Sequence, residues 1–325
     1  MRGDNRAFAS TAGRPNELAR HAARPSHRNT EGALPVSLTA AAAPDELLLS
    51  GLHLHPIKSC GGIAVDEALL IETGLEHDRA WMVVDTDGQF VTQRALPRMA
   101  LIKPTLRASD MVLRAPGMLA LHLRLDTVEA PCRVTVWDDR VAAYDMGDLA
   151  AQWFSDFLGQ RLRLARFDPA ERRLADARWT GPFEAETAFV DGFPLLVTST
   201  ASLAELNRRL LAAGHDAVAM QRFRPNIVLD GVPDAHGEDF IDELSLESPD
   251  GPVLLKLVKP CGRCTIPDVD PASAAQGHAV ADTLATYRAE PRIGGALAFG
   301  MNAIVVSGVE HRLRIGARVT ATLNF

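Results

Sequence analysis

The sequence predicts an α+β fold rich in β-structure, with two β-rich domains, a few helices, and a disordered N-terminal segment ahead of them. Three observations point there. From residue 46 onward the apolar residues come in short runs of strand length, bounded by turn residues. Strands and helices do not alternate regularly, which argues against a doubly wound parallel sheet or a TIM barrel. A polar, charged stretch over 168–186, with Arg172, Arg173 and Arg178, separates two such strand-rich regions. The expected organisation is a disordered extension over 1–46, a first domain over 47–170 and a second over 171–325.

Each element has a local reason. Residues 47–54, 81–85 and 133–137 are apolar or alternating runs and read as strands. Asp87-Gly88 between 81–84 and 90–92 is a hairpin signal. Over 145–158 the pattern changes: Leu149, Ala150, Trp153, Phe154, Phe157 and Leu158 recur at helical spacing and Gly159 ends the run. In the second half 193–197 reads as a strand. A helix follows over 200–213, with a Ser/Thr cap, Glu205 in its first turns and Gly214 as its stop. Further strands are expected at 226–229, 253–258, 303–306 and 317–323.

Composition narrows the function classes. The chain has 325 residues, 47% hydrophobic and 23% charged, enough for a large core without disulfides or a structural metal. A net charge of -7 argues against a general nucleic-acid partner, and no apolar run is long enough to span a membrane. Four cysteines fit a reducing compartment, and a cytoplasmic location is expected. Residues 1–30 hold six arginines against Asp4 and Glu17, a local charge of +4. This Arg-rich, acid-poor leader is compatible with mitochondrial targeting, but its composition is read first as disorder or an over-extended start.

The candidate chemistry lies in two sets of residues. Cys261-Gly-Arg-Cys264 places two soft thiols three positions apart, suited to a thiophilic metal or a redox pair. Equally, it is a turn with two small, partly buried residues. No second cysteine pair completes a structural zinc site, and Arg263 favours a thiolate beside it. The second set is basic: Lys58-Ser59, Arg79, Arg94 and Arg98 in the first half, with Arg222, Arg224 and Asn226 in the second. Only four lysines (58, 103, 256 and 259) stand against 30 arginines, so Lys58 in a Pro56-Ile-Lys-Ser59 turn stands out. Such groups suit an anionic phosphate ligand, or else form surface ion pairs. His53 and His55 alternate at metal-pair spacing without a third ligand, and Cys60 and Cys132 read as core residues.

In order along the chain these pieces are Leu54-His-Pro-Ile-Lys-Ser-Cys-Gly-Gly62, Gly74-Leu-Glu-His-Asp-Arg-Ala-Trp81 and Thr92-Gln-Arg94. They continue with Ala201-Ser-Leu203, Arg222-Phe-Arg-Pro-Asn-Ile227, Pro260-Cys-Gly-Arg-Cys264, Val269-Asp-Pro271 and Phe299-Gly300. Over residues 48–325 this pattern resembles MOSC-domain proteins with an N-terminal MOSC β-barrel domain. It is similar to bacterial proteins that confer resistance to N-hydroxylated base analogues and to the mitochondrial amidoxime-reducing components.

The resemblance implies two β-barrel-like domains and a molybdenum cofactor (Mo-molybdopterin) between them. It implies Lys58, Ser59, Arg79, Arg224, Asn226, Gly262 and Arg263 as cofactor-binding residues and Cys264 as metal ligand and catalytic residue. The activity it implies is reduction of small N-hydroxylated molecules to amine and water. Electrons would come from a separate flavin or iron–sulfur protein, since no ferredoxin domain is expected on this chain. The alternative it leaves is a molybdenum cofactor carrier or sulfur-handling module, as in cofactor sulfurases, whose pyridoxal-phosphate domain the sequence lacks. The chain departs from the eukaryotic pattern at Gly192-Phe193-Pro194, where those relatives carry Thr-Ser before proline, and in its second cysteine, Cys261.

Overall fold

A computed structural model describes residues 46–324, so all but the last residue of the expected disordered extension lies outside the described residues. Its principal feature is a closed barrel of seven strands. In chain order they are β1 (Leu47–Leu54), β2 (Leu195–Ser199), β3 (Ile227–Asp230), β4 (Ile241–Leu246), β5 (Val253–Gly262), β6 (Ala296–Ser307) and β7 (Arg318–Leu323). Around the barrel the order is β2-β3-β1-β7-β4-β5-β6 and back to β2. Closure leaves no unpaired edge among these staves. The first stave comes from the N-terminal half of the sequence and sits between β3 and β7.

Alternation sets what fills the barrel. In β1 the residues Leu49, Leu52 and Leu54 are buried, and a bulge between Leu49 and Gly51 accounts for the break in their period. They meet Leu229, Leu244, Leu255, Leu257 and Val319 from the other staves. Each fully buried leucine of this kind contributes about 1.5–3 kcal/mol. Gly300 is required where β6 passes β2. Its φ is +79°, and a Cβ there would lie 2.6 Å from the Val197 carbonyl oxygen.

One neighbouring pair, β2 and β3, is parallel, and a crossover helix joins them, α1 (Thr200–Ala212). Ser199 caps that helix by accepting from the Ser202 N–H at 3.1 Å. Beneath the cap, fully buried Glu238 accepts from the hydroxyls of Ser199 at 2.8 Å and Ser202 at 2.7 Å. Nearby His236 is buried, and among the described residues neither ring nitrogen has a hydrogen-bond partner. Burial, reinforced by Arg288, pulls its pKa down to about 4.

The rest of the N-terminal half forms its own sheets. Trp81–Val84, Arg163–Phe167, Asp139–Asp145 and Ala130–Val136 make an antiparallel sheet in that order, and Lys103–Leu106, Asp110–Arg114 and Leu121–Arg124 make a second. The expected helix is Gly147–Leu158, closed by Gly159 at φ +77°. Its Phe154 and Phe157 pack with Trp81 and Met111 in a second core. The Asp87-Gly88 turn forms as expected, with the Gly88 N–H donating to the Asp85 carbonyl at 3.1 Å.

Candidate functional site

The site begins where β1 ends. The turn after it is pinned by the Lys58 N–H donating to the Trp81 carbonyl at 2.8 Å and the Arg79 N–H donating to the His55 carbonyl at 2.9 Å. These bonds draw Lys58, Ser59 and Arg79 together although Lys58 and Arg79 are 21 positions apart in the sequence. Ser59, Arg79 and Arg224 are three of the eight non-glycine residues with positive φ among the described residues. Left-handed backbone costs of order 1–3 kcal/mol at such residues and gathers where function over-determines it.

Arg79 is braced on three sides. Its Nη1 donates to the carboxylate of buried Asp78 and to Asn226 Oδ1 at 3.1 Å, and its Nη2 donates to the Arg224 carbonyl at 2.9 Å. Asp78 in turn accepts from the His55 N–H at 2.7 Å. Asn226 Oδ1 also accepts from the Leu196 N–H at 3.1 Å, so this amide positions Arg79 and β2 together. Arg224 is less well served. Its Nη1 donates to the Cys60 carbonyl, while Nη2 is buried with no acceptor among the described residues. Burial and the neighbouring Arg79 bring its pKa down to about 10. Two neighbouring guanidiniums, only one of them bonded to a carboxylate and the other with a buried donor left over, have the chemistry to receive an anion.

Lys58 closes one wall. Its Nζ donates to the Phe189 carbonyl at 2.8 Å and to Asp191 Oδ1 at 2.6 Å. Against the desolvation of the cavity wall, Lys58, the Trp137 indole N–H at 3.0 Å and Arg79 hold the Asp191 carboxyl below the ordinary carboxylate range. Desolvation lowers the Lys58 pKa, and Asp191 opposes that shift. His55, packed against Arg79 and Arg224, is driven well below its usual value by burial and by those two charges, so it is neutral.

The thiols stand at the end of β5, Cys261 within the strand and Cys264 just beyond it. Arg263 Nη1 donates to Cys261 Sγ at 3.0 Å and Nη2 donates to the Phe223 carbonyl at 2.9 Å, while its Nε is buried without an acceptor. Cys264 is exposed to the cavity. At Gly262 between them, a Cβ would come within 3.2 Å of Ile293 Cδ1. Lys58, Ser59, Arg79, Arg224, Asn226, Gly262, Arg263 and Cys264 all line one cavity of about 420 Å³. Among the described residues no three His, Cys, Asp or Glu side chains cluster as a metal site. A metal here would need ligands from a bound group in addition to a protein thiolate.

Comparison with known proteins places this geometry in a family. The MOSC N-terminal beta barrel domain matches residues 46–161 and the MOSC domain matches residues 184–320. Mitochondrial amidoxime reducing component 2 of Bos taurus is 35% identical over 252 residues, covering 74% of this chain and 72% of the relative. Mitochondrial amidoxime-reducing component 1 of Homo sapiens is 35% identical over 247 residues, covering 73% and 71%. The Rattus norvegicus component 2 is 36% identical over 255 residues, covering 74% and 72%. The chain belongs to the amidoxime-reducing component family of MOSC-domain proteins.

Membership in this family corrects one expectation. The cytoplasmic location read from the sequence is overturned by these relatives, each of which is named a mitochondrial component. No helix among the described residues is long and apolar enough to cross a membrane. Of the other basic candidates, Arg94 reaches the cavity wall, with its guanidinium 4.9 Å from the Trp137 ring centroid. Arg98 instead stacks over Phe157 at 4.5 Å, and Arg222 is tied to Asp270 at 2.8 Å. Asp191, Trp137 and Lys259 were not among the sequence candidates. The scarcity of lysine marks Lys259 as it marks Lys58, but says nothing of the face on which Lys259 lies.

Proposed function

We propose that this chain is a reductase of N-hydroxylated compounds that works with a molybdenum cofactor seated in the cavity described above. The observation that carries this reading is the joining of two unlike walls in one cavity. One offers guanidinium and ammonium groups with the buried, unpartnered Nη2 of Arg224; the other offers Cys261 and Cys264. A cofactor with a phosphate at one end and a soft metal at the other fits that donor set. Family membership and the names of the relatives support the same class of activity.

In this reading Arg79, Arg224 and Lys58 bind the anionic end of the cofactor, with Ser59 beside them. Asn226 orients Arg79, and Cys264 supplies the protein thiolate to the metal. Arg263 fixes the loop by its contacts to Cys261 Sγ and the Phe223 carbonyl. When bound, the cofactor supplies a metal able to pass two electrons to an N–OH group, which with two protons becomes N–H and water. The two electrons are proposed to come from a separate flavin or iron–sulfur protein. The chain's own contribution is to hold the cofactor, keep its charges compensated and leave the cavity mouth open to a small molecule.

The test is reduction of a hydroxylamine and an amidoxime by metal-loaded protein, with reduced methyl viologen as donor, alongside metal and pterin analysis. Turnover with about one molybdenum per chain is expected. Absence of turnover, combined with release of cofactor to an apo-enzyme, would replace this reading with a cofactor-handling role.

A further inference from the structure

Lys259 lies on β5, two residues before Cys261, and its place in the cavity wall depends on a break in the strand's alternation. Along β5 the buried residues are Val253, Leu255 and Leu257 at every second position, and then Pro260. The ladder to β6 shifts register between Leu257 and Lys259, and again between Pro260 and Gly262. With an unbroken period of two, Lys259 would share the inward face of Leu257 and enter the barrel core, where an unpaired ammonium is very costly. The bulge instead turns the side chain into the wall of the cavity.

There it lacks an oxygen partner. The other three lysines all have one: Lys58 has the Phe189 carbonyl and Asp191, Lys103 has the carbonyls of Ala100 and Pro271, and Lys256 has Asp242. Lys259 makes no ion pair or side-chain hydrogen bond among the described residues. Its Nζ lies 5.2 Å from the Trp179 ring centroid and 5.8 Å from that of Phe193. Two aromatic rings steady the cation, and Asp176, whose carboxylate feels its charge, is itself bonded to Arg178, so the ammonium in the cavity wall keeps its hydrogen-bonding capacity for a ligand. The other cavity cations are accounted for: Arg79, Arg224 and Lys58 form the anion seat, Arg263 holds Cys261, and Arg94 stacks on Trp137.

The geometry points to Lys259, with Phe193 beside it in the cavity wall, as a specificity-determining subsite for an anionic group, carboxylate or phosphate, carried on an apolar N-hydroxylated substrate. Phe193 takes the apolar body, the ammonium takes the charge, and Trp179 backs the ammonium from outside the cavity lining. This inference rests on the reductase reading above.

The test compares metal-loaded wild type with Lys259→Met and Lys259→Arg. The substrates are benzamidoxime, its 4-carboxy derivative and its 4-phosphono derivative. The matching amidines, which carry no N–O bond, serve as binding probes followed by tryptophan fluorescence. Lys259→Met is expected to raise KM for the anionic substrates by about tenfold or more, with kcat held and the neutral substrate within about twofold. Binding of 4-carboxybenzamidine should weaken in parallel, and Lys259→Arg should restore most of both. The carboxylate and phosphonate arms show which anion the subsite prefers.

Equal losses for neutral and anionic compounds would overturn the inference. So would a fall in molybdenum content in Lys259→Met, which would make Lys259 part of the cofactor seat. The two readings fail separately. A wild type that reduces none of these compounds but binds the anionic amidine through Lys259 defeats only the reductase reading. One that reduces all three without charge preference defeats only the subsite.

Discussion

Nη2 of Arg79 donates to the backbone carbonyl of Arg224 at 2.9 Å, so a guanidinium from the first half of the chain is tied to the turn that carries a second from the other half. The carboxylate of Asp78 lies beside the pair, and of the two guanidiniums it bonds only that of Arg79, its other oxygen accepting from the His55 N–H. The two arginines therefore differ in what they do for the empty and the filled protein. Arg79 is bonded to a carboxylate and so also supports the fold, whereas Arg224 bonds no carboxylate and keeps a buried Nη2 without an acceptor among the described residues.

That asymmetry yields the first prediction. Arg79→Ala leaves buried Asp78 without its cation, a change expected to cost about 3–5 kcal/mol, and should lower both melting temperature and molybdenum content. Arg224→Met removes a buried, half-partnered charge and should lower molybdenum content while leaving the melting temperature of the metal-free protein equal or higher. Thermal melts with metal analysis read both outcomes. Equal destabilisation by the two variants would refute the division of roles.

The second prediction separates the two thiols. Cys264→Ser should keep much of the cofactor, because the anion seat is intact, and lose nearly all turnover. Cys261→Ser should lose less, since Cys261 Sγ is engaged by Arg263 at 3.0 Å. An inactive Cys261→Ser beside an active Cys264→Ser would reverse the ligand assignment.

The third concerns acid stability. The pKa of His236 in the folded protein is about 4, below its ordinary 6.5. The unfolded chain therefore takes up the proton first on acidification. Stability from this residue is present well above pH 6.5 and is lost as pH falls through 6.5 toward 4. Denaturant melts at pH 7.5 and pH 4.5 should show a smaller difference for His236→Asn than for wild type. An unchanged difference would assign the acid sensitivity elsewhere.

The fourth tests barrel closure. Gly300→Ala forces a Cβ to 2.6 Å from the Val197 carbonyl oxygen at φ +79°, so neither the backbone nor the neighbouring stave can absorb it easily. Loss of about 3 kcal/mol or more, or failure to fold, is expected by chemical denaturation. A variant as stable as wild type would show that β2 and β6 can part without cost.

What the sequence disclosed follows the range of the forces involved. The helix at Gly147–Leu158 was legible because Trp153, Phe154 and Phe157 repeat at helical spacing and Gly159 ends it, and the Ser199 cap was equally local. The partners of β1 were not, since alternation identifies a strand and its buried face but not its neighbours. Nor was Lys259 legible as a cavity residue, because a bulge reverses face assignments and leaves little trace in composition. Lys58, Arg79, Arg224 and Cys264 drew attention through their motifs. That they meet depends on turns after β1 and before β3, where Ser59, Arg79 and Arg224 take left-handed backbone that no simple rule assigns to them. Trp137 and Asp191 gave no local signal at all, because their bond joins positions 54 residues apart.

The insertion of β1 between β3 and β7 makes the barrel separable in an unusual way. A fragment beginning just after Leu54 would keep six staves in order, from β7 through β4, β5, β6 and β2 to β3, with a gap one strand wide between its two ends. Both borders of that gap would be exposed strand edges spaced for one further backbone, about 4.8 Å to each side. A synthetic peptide with the sequence Leu47–Leu54 has the inward leucines to fill it, so the protein should lend itself to reconstitution from two pieces. Since the Lys58 turn hangs directly from that strand, a peptide extended through Arg79 would bring Lys58, Ser59 and Arg79 with it and make recovery of the proposed cofactor binding a reporter of complementation.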